Sequence, residues 1–507
     1  MRKTSILLMI LTILTKIFGL AREKTLAHLF GASAMADIFL VAFSVPMVIT
    51  NLLTGAIGTG FIPIFDQIRM EKGKLRANLF TANLTNMLAL VFGGISILGI
   101  IGAKPLIRAM SPGFSEESFR TCVYITRIAM SSILATSIAS VFRAYLQIYK
   151  HFAISVSHSI IMNIVLMGAM VAGKLISIRA MAWGMLFAFI IQYIIFIPFV
   201  KKEGYRHAVL LNGEDPHLRQ MLRMILPIFI SMSVIELNYI INKALASGIA
   251  TGGISAMNYS SRLIDFVTGI VITSIVTVTY PPMTRAAAKK DRGQLQKVTG
   301  ESLSLMSLMV IPATIGLMIF SPQIVRLLFF GGAFGEEDVV MTSSILFFYA
   351  LGVPGIGFRE IQIRVYYALG DMKTPVINSV IMVLCNVTLS IILGKILGLQ
   401  GLSLATSISL LLGAFLLYLG LKIKRLSPMT GRTKNLGKIL FASLCMGLVG
   451  KIIFQILSQN LSGNVALLGT ILLAATTYGI LLLLLKVEEL YEGIALLKNR
   501  NKKRNDT

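Results

Sequence analysis

The sequence predicts an all-α polytopic membrane protein with about fourteen transmembrane helices. Of its 507 residues, 55% are hydrophobic and 14% are charged, whereas soluble domains carry about 25% charged residues. Apolar runs of 18 or more residues recur along the whole length, and such runs are typical of helices that cross a bilayer. Short motifs of the first half also return about 220 residues later. The protein is therefore expected to contain two similar groups of spans.

The predicted spans each approach the length of about 20 residues that a bilayer crossing requires. The first six are Ser5–Leu20, Ala34–Phe65, Phe80–Ala103, Cys122–Ile148, Ile154–Ala172 and Met181–Val200. The next six are Met221–Ala246, Ile254–Thr284, Ser302–Phe320, Val339–Leu369, Val376–Leu397 and Leu402–Leu421. The last two are Ile439–Leu457 and Ala466–Leu485.

The first span resembles a signal peptide, because a basic start precedes an apolar core. It lacks a small-x-small cleavage site, however, and charge returns at Lys16 and Arg22. We therefore interpret it as a retained transmembrane helix.

An internal repeat divides the chain. Phe142-Arg143-Ala144-Tyr145 closes span four, and Ile363-Arg364-Val365-Tyr366 closes span ten. Six spans separate them, an even number, so both halves have the same orientation and are expected to be related by a pseudo-twofold axis along the membrane normal. The predicted organisation is an N-lobe at 1–200, a cytoplasmic connector at 201–220, a C-lobe at 221–421, a second connector at 422–438, two extra helices at 439–486 and a basic cytoplasmic tail at 487–507.

Basic residues concentrate in alternate loops, which predicts the topology. Arg69–Arg76, Lys201–Arg223, Arg285–Lys297 and Lys422–Lys438 fall on one side when the spans alternate. The positive-inside rule makes that side cytoplasmic, together with both termini. The net charge of +25 follows from this pattern, so no nucleic acid partner is expected. Three scattered cysteines and five histidines without ligand spacing predict neither a disulfide framework nor a metal site.

Charges inside the spans are the candidates for function, because an ionisable residue in a bilayer usually faces a watery cavity or a partner. Spacing accounts for several of them. Glu360 and Arg364 are four residues apart, which favours a structural ion pair. Arg262 and Asp265 share a helix face and can neutralise each other, and so can Glu236 and Lys243 two turns apart.

Lys16, Arg22 and Asp37 have no such neighbour in sequence. One interpretation places Arg22 and Glu23 at the outer interface, where they only anchor the helix. The other is a cationic cavity for an anionic headgroup, to which arginine is suited because its planar fork binds phosphate oxygens in pairs. Both interpretations are open from the residues alone.

Motifs along the whole chain resemble the MurJ/MviN family of lipid II flippases, in the multidrug/oligosaccharidyl-lipid/polysaccharide exporter superfamily. They are TKIFGLARE at Thr15–Glu23, ADIFLVAFSVP at Ala36–Pro46, GFIPIF at Gly60–Phe65, SPGF at Ser111–Phe114, NYSSRLIDF at Asn258–Phe266, LFFGGAF at Leu328–Phe334 and YYALGDMKTPV at Tyr366–Val376. No single motif is diagnostic; their collinear order carries the resemblance.

The resemblance implies a flippase that moves lipid II, an undecaprenyl-pyrophosphate-linked disaccharide-pentapeptide, across the bacterial plasma membrane without covalent chemistry. It implies that Lys16, Arg22 and Arg262 hold the pyrophosphate, while Glu23 and Asp37 orient those cations. It also implies that the last two helices form a groove for the lipid tail. The protein is expected to act as a monomer among membrane lipids, without a cofactor, driven by membrane potential or by ions.

Helix two departs from the family pattern. Where many relatives have a pair of arginines and a later glutamate, this chain has Thr50, Asn51 and Gly55. Headgroup contact from helix two is therefore expected to be weaker, or another cation such as Lys243 replaces it. Asp265 is a further secondary candidate.

Two other functions are weighed against this one. An exporter of the same superfamily would share the fold and carry a drug or a polysaccharide precursor, but a drug antiporter is expected to have an acidic cavity. A membrane-embedded transferase needs a positioned acid, base or nucleophile. The long loops contain no acidic or histidine cluster that would supply one.

Overall fold

The computed structural model describes residues 2–426 and 433–487, and in these ranges the chain is all-α, as predicted. Part of the second connector and nearly all of the basic tail lie outside the described residues. The helices are α1 (Arg2–Phe30), α2 (Ala34–Ile101), α3 (Ala103–Met110), α4 (Glu116–Met130), α5 (Ile133–Ile148), α6 (Phe152–Leu175), α7 (Ile178–Lys202), α8 (Pro216–Ile249), α9 (Gly253–Ala288), α10 (Arg292–Ile319), α11 (Ser321–Phe329), α12 (Glu336–Ala350), α13 (Val353–Ala368), α14 (Lys373–Leu397), α15 (Leu399–Ile423), α16 (Thr433–Asn460) and α17 (Gly463–Leu484).

The described helices are compatible with the predicted number of spans. Within the described ranges, ten stretches are long and apolar enough to cross a membrane, or eleven if the bent α4–α5 pair forms one span. One of the ten, α2, has 68 residues, which is enough for two crossings. Its halves meet at Gly73, whose φ of 81° and ψ of 170° belong to a region open essentially to glycine alone. If the α4–α5 pair counts as one span and α2 as two, and α1 and α8 are added, the total is the predicted fourteen.

Three predicted boundaries are corrected. Helix one continues to Phe30 instead of ending at Leu20, so Arg22 and Glu23 lie well inside it. Predicted span four is broken into α4 and α5, which meet at an angle of 43°. At this break the Ser132 hydroxyl donates to the carbonyl of Ala129 at 2.6 Å, a bond that competes with the helix ladder. Predicted span ten is also two helices, and Pro354 lacks the N–H that would continue the first of them.

The internal repeat is confirmed at the level of helices. The broken pair α4–α5 has 15 and 16 residues, and the pair α12–α13 has 15 and 16 residues as well. Glu336 begins α12 at 220 residues after Glu116 begins α4. A helical hairpin of closely similar lengths follows each broken pair, α6–α7 in the first half and α14–α15 in the second. Each lobe is thus built from the same series of helices.

The chain divides into two compact units, Met1–Ser255 with Gly331–Gly335, and Ala256–Phe330 with Glu336–Thr507. The lobes predicted at 1–200 and 221–421 were defined by the repeat and not by compactness, so their limits stay a prediction. In the second unit the two extra helices pack on α10. Leu308 of α10 lies in one buried cluster with Ile439 and Leu482, and the Tyr478 hydroxyl donates to the Leu308 carbonyl at 3.0 Å.

Candidate functional site

The first compact unit buries a guanidinium beside a carboxylate on α1. Arg22 is 7% exposed and Glu23 is fully buried, and the two form an ion pair. Neighbouring side chains on a helix normally point in different directions, so the arginine must fold back to reach Glu23. The Arg22 guanidinium also lies over the ring of Phe43, 4.9 Å from its centre. A cation over an aromatic face is stabilised by the ring quadrupole.

Phe43 belongs to an aromatic platform, Phe39, Phe43 and Phe189, against which the guanidinium packs. Phe39 lies one turn earlier on α2 and stacks on Phe43 with ring centres 6.0 Å apart. Phe189 of α7 also stacks on Phe43, with ring centres 5.4 Å apart. Sequence reasoning missed this platform. The four-residue spacing of Phe39 and Phe43 was the available signal, but it is equally typical of an ordinary buried helix face.

Lys16 lies on α1 and is half-buried. Seven residues separate it from Glu23, which is two helical turns and about 10 Å along the axis. Helix geometry therefore places Lys16 and Glu23 on the same face of α1. The predicted cations Lys16 and Arg22 thus lie on one helix. Glu23 shares a helix face with Lys16 and forms an ion pair with Arg22.

Asp37 makes contacts that the sequence did not predict. It is 1% exposed, and its two carboxylate oxygens accept hydrogen bonds from the backbone N–H groups of Gly252 and Ser255, at 2.8 and 2.7 Å. Ser255 lies in the first turn of α9 and Gly252 directly precedes that helix, and N–H groups at a helix start have no partner within the helix. Asp37 therefore caps α9, the helix that carries Arg262. The physical reason is that a charged acceptor binds unpaired N–H groups at a helix start strongly.

The turn that Asp37 caps is closely packed. Gly252 has a φ of 79°, and a Cβ there would collide with the backbone carbonyl of Ala32. The α8–α9 turn thus lies directly against the α1–α2 turn, within hydrogen-bonding reach of Asp37.

We expect Asp37→Asn to lower the thermal stability of the purified protein. An amide keeps one acceptor and presents an N–H₂ group to the second backbone N–H, so one buried donor loses its partner at a cost of about 1–3 kcal/mol. The measurement is the unfolding temperature in detergent.

Asp291→Asn is the matched control. Asp291 caps α10 by accepting from the Gln294 N–H at 2.9 Å, but it is exposed, and asparagine caps a helix about as well as aspartate. Its unfolding temperature should therefore stay unchanged. Equal stability of the two variants would contradict the capping role of Asp37.

Helix α2 makes an unpredicted contact at Thr50 and Asn51, where its sequence differs from the family pattern. The Asn51 amide donates to Glu236 Oε1 of α8 at 3.2 Å. Lys243, which the sequence predicts as the neutralising partner of Glu236, also interacts with it electrostatically. The Thr50 hydroxyl donates to the carbonyl of Pro46 at 2.8 Å, inside its own helix. Lys243 is half-buried on α8, two turns from Glu236. Thr50 therefore forms a hydrogen bond within α2, and Asn51 forms one between α2 and α8.

Arg262 lies in the second compact unit, where it is exposed beside Asp265. Its Nη1 is 3.3 Å from Asp265 Oδ2, so the predicted pairing three residues apart is confirmed. The predicted Glu360–Arg364 pair also forms, at 3.5 Å.

These arrangements are suited to reversible binding of an anion. Both arginines keep a carboxylate as an immediate neighbour, Glu23 for Arg22 and Asp265 for Arg262. Within residues 2–426 and 433–487, His, Cys, Asp and Glu side chains nowhere form a group of three that could hold a metal ion.

Comparison with known proteins gives a consistent result. The profile of the family described as "Lipid II flippase MurJ" matches residues 26–472. The chain is 29% identical to the probable lipid II flippase MurJ of Rickettsia prowazekii, over 94% of this chain and 97% of the relative. It is 28% identical to the lipid II flippase MurJ of Burkholderia cenocepacia, over 81% of this chain and 82% of the relative.

Solved structures agree with the sequence relatives. A lipid II flippase MurJ in an inward closed conformation matches with a TM-score of 0.81 and 26% identity, covering 94% of this chain and 98% of the other. An inward-facing multidrug resistance transporter of the MATE family, in the MOP superfamily, matches with a TM-score of 0.71 and 15% identity, covering 82% and 96%. At that identity the second match concerns the fold alone.

Proposed function

This chain belongs to the MurJ family of lipid II flippases, and we propose that Lys16, Arg22 and Arg262 hold the pyrophosphate of its lipid II cargo. Membership makes the protein a multi-pass transporter of the bacterial inner membrane and not an enzyme.

The buried Arg22 supports the placement of the pyrophosphate more than any other observation. A guanidinium has five N–H donors in a fixed fork, and among the described residues Glu23 is its hydrogen-bond acceptor. Keeping this charge inside a transmembrane helix is costly, so it is usually retained for a function. A pyrophosphate offers paired oxygens that match the remaining donors.

The neighbouring carboxylates explain how the cargo could leave again. Glu23 forms an ion pair with Arg22, and Asp265 forms one with Arg262. An arriving pyrophosphate would replace these carboxylates, and they would replace it again on release. The desolvation of the buried Arg22 is then partly compensated in both states, which keeps binding reversible. Asp37 would act indirectly, by holding the first turn of the helix that carries Arg262.

The lipid tail would follow α16. Exposed apolar side chains recur at helical spacing along its whole length: Leu440, Phe441, Leu444, Leu448, Ile452 and Ile456. Such a stripe is compatible with an isoprenoid chain that stays in the hydrocarbon layer while the headgroup crosses.

The positive-inside rule supports cytoplasmic positions for both termini. The cargo and membrane lipids are the proposed ligands of a monomeric protein. We propose alternating access between the two lobes, driven by membrane potential or by an ion without a resident cofactor.

The test is lipid II translocation in cells depleted of their native flippase. We expect expression of this chain to restore both growth and the appearance of lipid II at the outer surface, where an added reagent can modify it. An Arg22→Ala/Arg262→Ala variant at equal membrane abundance should restore neither. Growth rescue without exposed lipid II, or full activity of the double variant, would contradict the proposal.

A further inference from the structure

A cavity that neither Arg22 nor Lys16 lines lies in the first compact unit. It has a volume of about 620 Å³ and is bounded by α2, α5, α7 and the start of the connector. Small-molecule sites typically have volumes of about 300–1,000 Å³. Three of its lining residues are exposed and basic or imidazole-bearing: Lys201, Arg206 and His207. None of the residues proposed to bind lipid II lines it.

The connector beside this cavity is held in place although it has no regular secondary structure between 205 and 212. Asparagines on α2 bind its backbone carbonyls: Asn78 donates to Gly204 at 3.1 Å, Asn83 to Asn212 at 2.9 Å and Asn86 to Ala208 at 2.8 Å. The Asn212 N–H also donates back to Asn83 at 2.7 Å. Because its polar backbone groups are paired in this way, the segment presents Arg206 and His207 from an ordered position.

Aromatic side chains form one wall. Tyr205 is 5% exposed, and its ring meets Phe142 edge-on with centres 5.5 Å apart. Phe142 in turn stacks on Tyr193 at 5.8 Å. Burial raises the pKa of Tyr205, so its hydroxyl keeps its proton, and it lies 3.2 Å from Nδ1 of His207. The wall therefore combines an apolar surface with a neutral hydroxyl.

The cavity is positively charged. Among the described residues, no carboxylate forms an ion pair with Lys201 or Arg206. The carboxylate of Glu203, between them in sequence, instead lies 2.7 Å from Nε2 of His151. Two cations thus stand next to an apolar lining that includes Ala89, Ile138 and Ile197. This lining suits a ligand that is anionic at one end and apolar at the other.

We propose that this cavity binds the headgroup of an anionic phospholipid of the phosphatidylglycerol class. Lys201 and Arg206 would bind the phosphodiester. The part of the acyl chains next to the headgroup would lie against Ile138 and Ile197. Basic pockets between transmembrane helices are suited to such headgroups, and arginine gives the phosphate paired hydrogen bonds. The apolar lining favours a lipid over free phosphate. The site is separate from the proposed cargo site and does not depend on it.

The experiment is native mass spectrometry of the purified full-length protein, titrated with phosphatidylglycerol, with phosphatidylcholine as the neutral comparison. We expect preferential binding of phosphatidylglycerol, and a loss of about 25-fold in affinity for Lys201→Gln/Arg206→Gln, about fivefold for each neutralised cation. Arg285→Gln/Lys289→Gln removes the same charge from two other exposed positions and should bind like the wild type.

A second variant tests the apolar part without changing charge. Ala89→Phe should fill the lining and weaken phosphatidylglycerol binding, with an unchanged unfolding temperature in lipid-free detergent. Soluble glycerol 3-phosphate should bind far more weakly than the lipid to the wild type. The proposal is overturned by any of three results: no preference over phosphatidylcholine, an equal loss in the control variant, or glycerol phosphate binding as tight as the lipid.

Discussion

Arg22→Lys and Arg262→Lys are expected to fail to support growth in cells depleted of their native flippase, at normal membrane abundance. Lysine keeps the charge but loses the planar fork that binds two phosphate oxygens, so the change is not conservative at such a site. At Arg22 it also loses the stacking over Phe43. Lys16→Arg should be tolerated, because the family resemblance places an arginine there.

Arg120→Lys is the matched control for these variants. Arg120 forms an ion pair with Glu116 four residues away, at 3.1 Å, but its side chain is 78% exposed, and exposed pairs contribute about 0–1 kcal/mol. It should grow normally. If Arg262→Lys complements fully, the role of Arg262 is to pair with Asp265, and the second cation must come from Lys243. The growth of a Lys243→Ala variant would then decide that point.

Removal of α16 and α17 is expected to abolish lipid II translocation while leaving a folded protein. A chain ended after Leu426 retains α1–α15, including every helix of the internal repeat. The removed helices bury an apolar face of α10 around Leu308, but lipid or detergent can cover that face, because association in a membrane lacks a hydrophobic driving force. The measurements are translocation in depleted cells and monodispersity of the purified protein.

Two results would contradict this expectation. Normal translocation by the shortened chain would mean that the exposed stripe on α16 does not guide the lipid tail. Failure to purify as a monodisperse protein would mean that the contacts of Tyr478 and Leu482 with α10 are required for folding. Leu444→Ser/Leu448→Ser, two changes within the exposed stripe, would then test the stripe in the full chain.

The sequence alone determined the class of fold and the repeat. These follow from apolar runs and their lengths, because a bilayer leaves a chain few alternatives to helices of sufficient length. It also identified Arg262–Asp265 and Glu360–Arg364, whose partners are three and four residues apart on one helix. Such pairs depend on helix geometry alone.

Only the tertiary structure decided the partners of Asp37, Asn51 and the connector. Asp37 binds amides more than 200 residues away, and Asn51 binds Glu236, 185 residues away. A transmembrane aspartate has the same local pattern whether it orients a cation or caps another helix. The choice depends on which turn is packed against it, here the turn at Gly252, and that is set by the packing of helices distant in sequence.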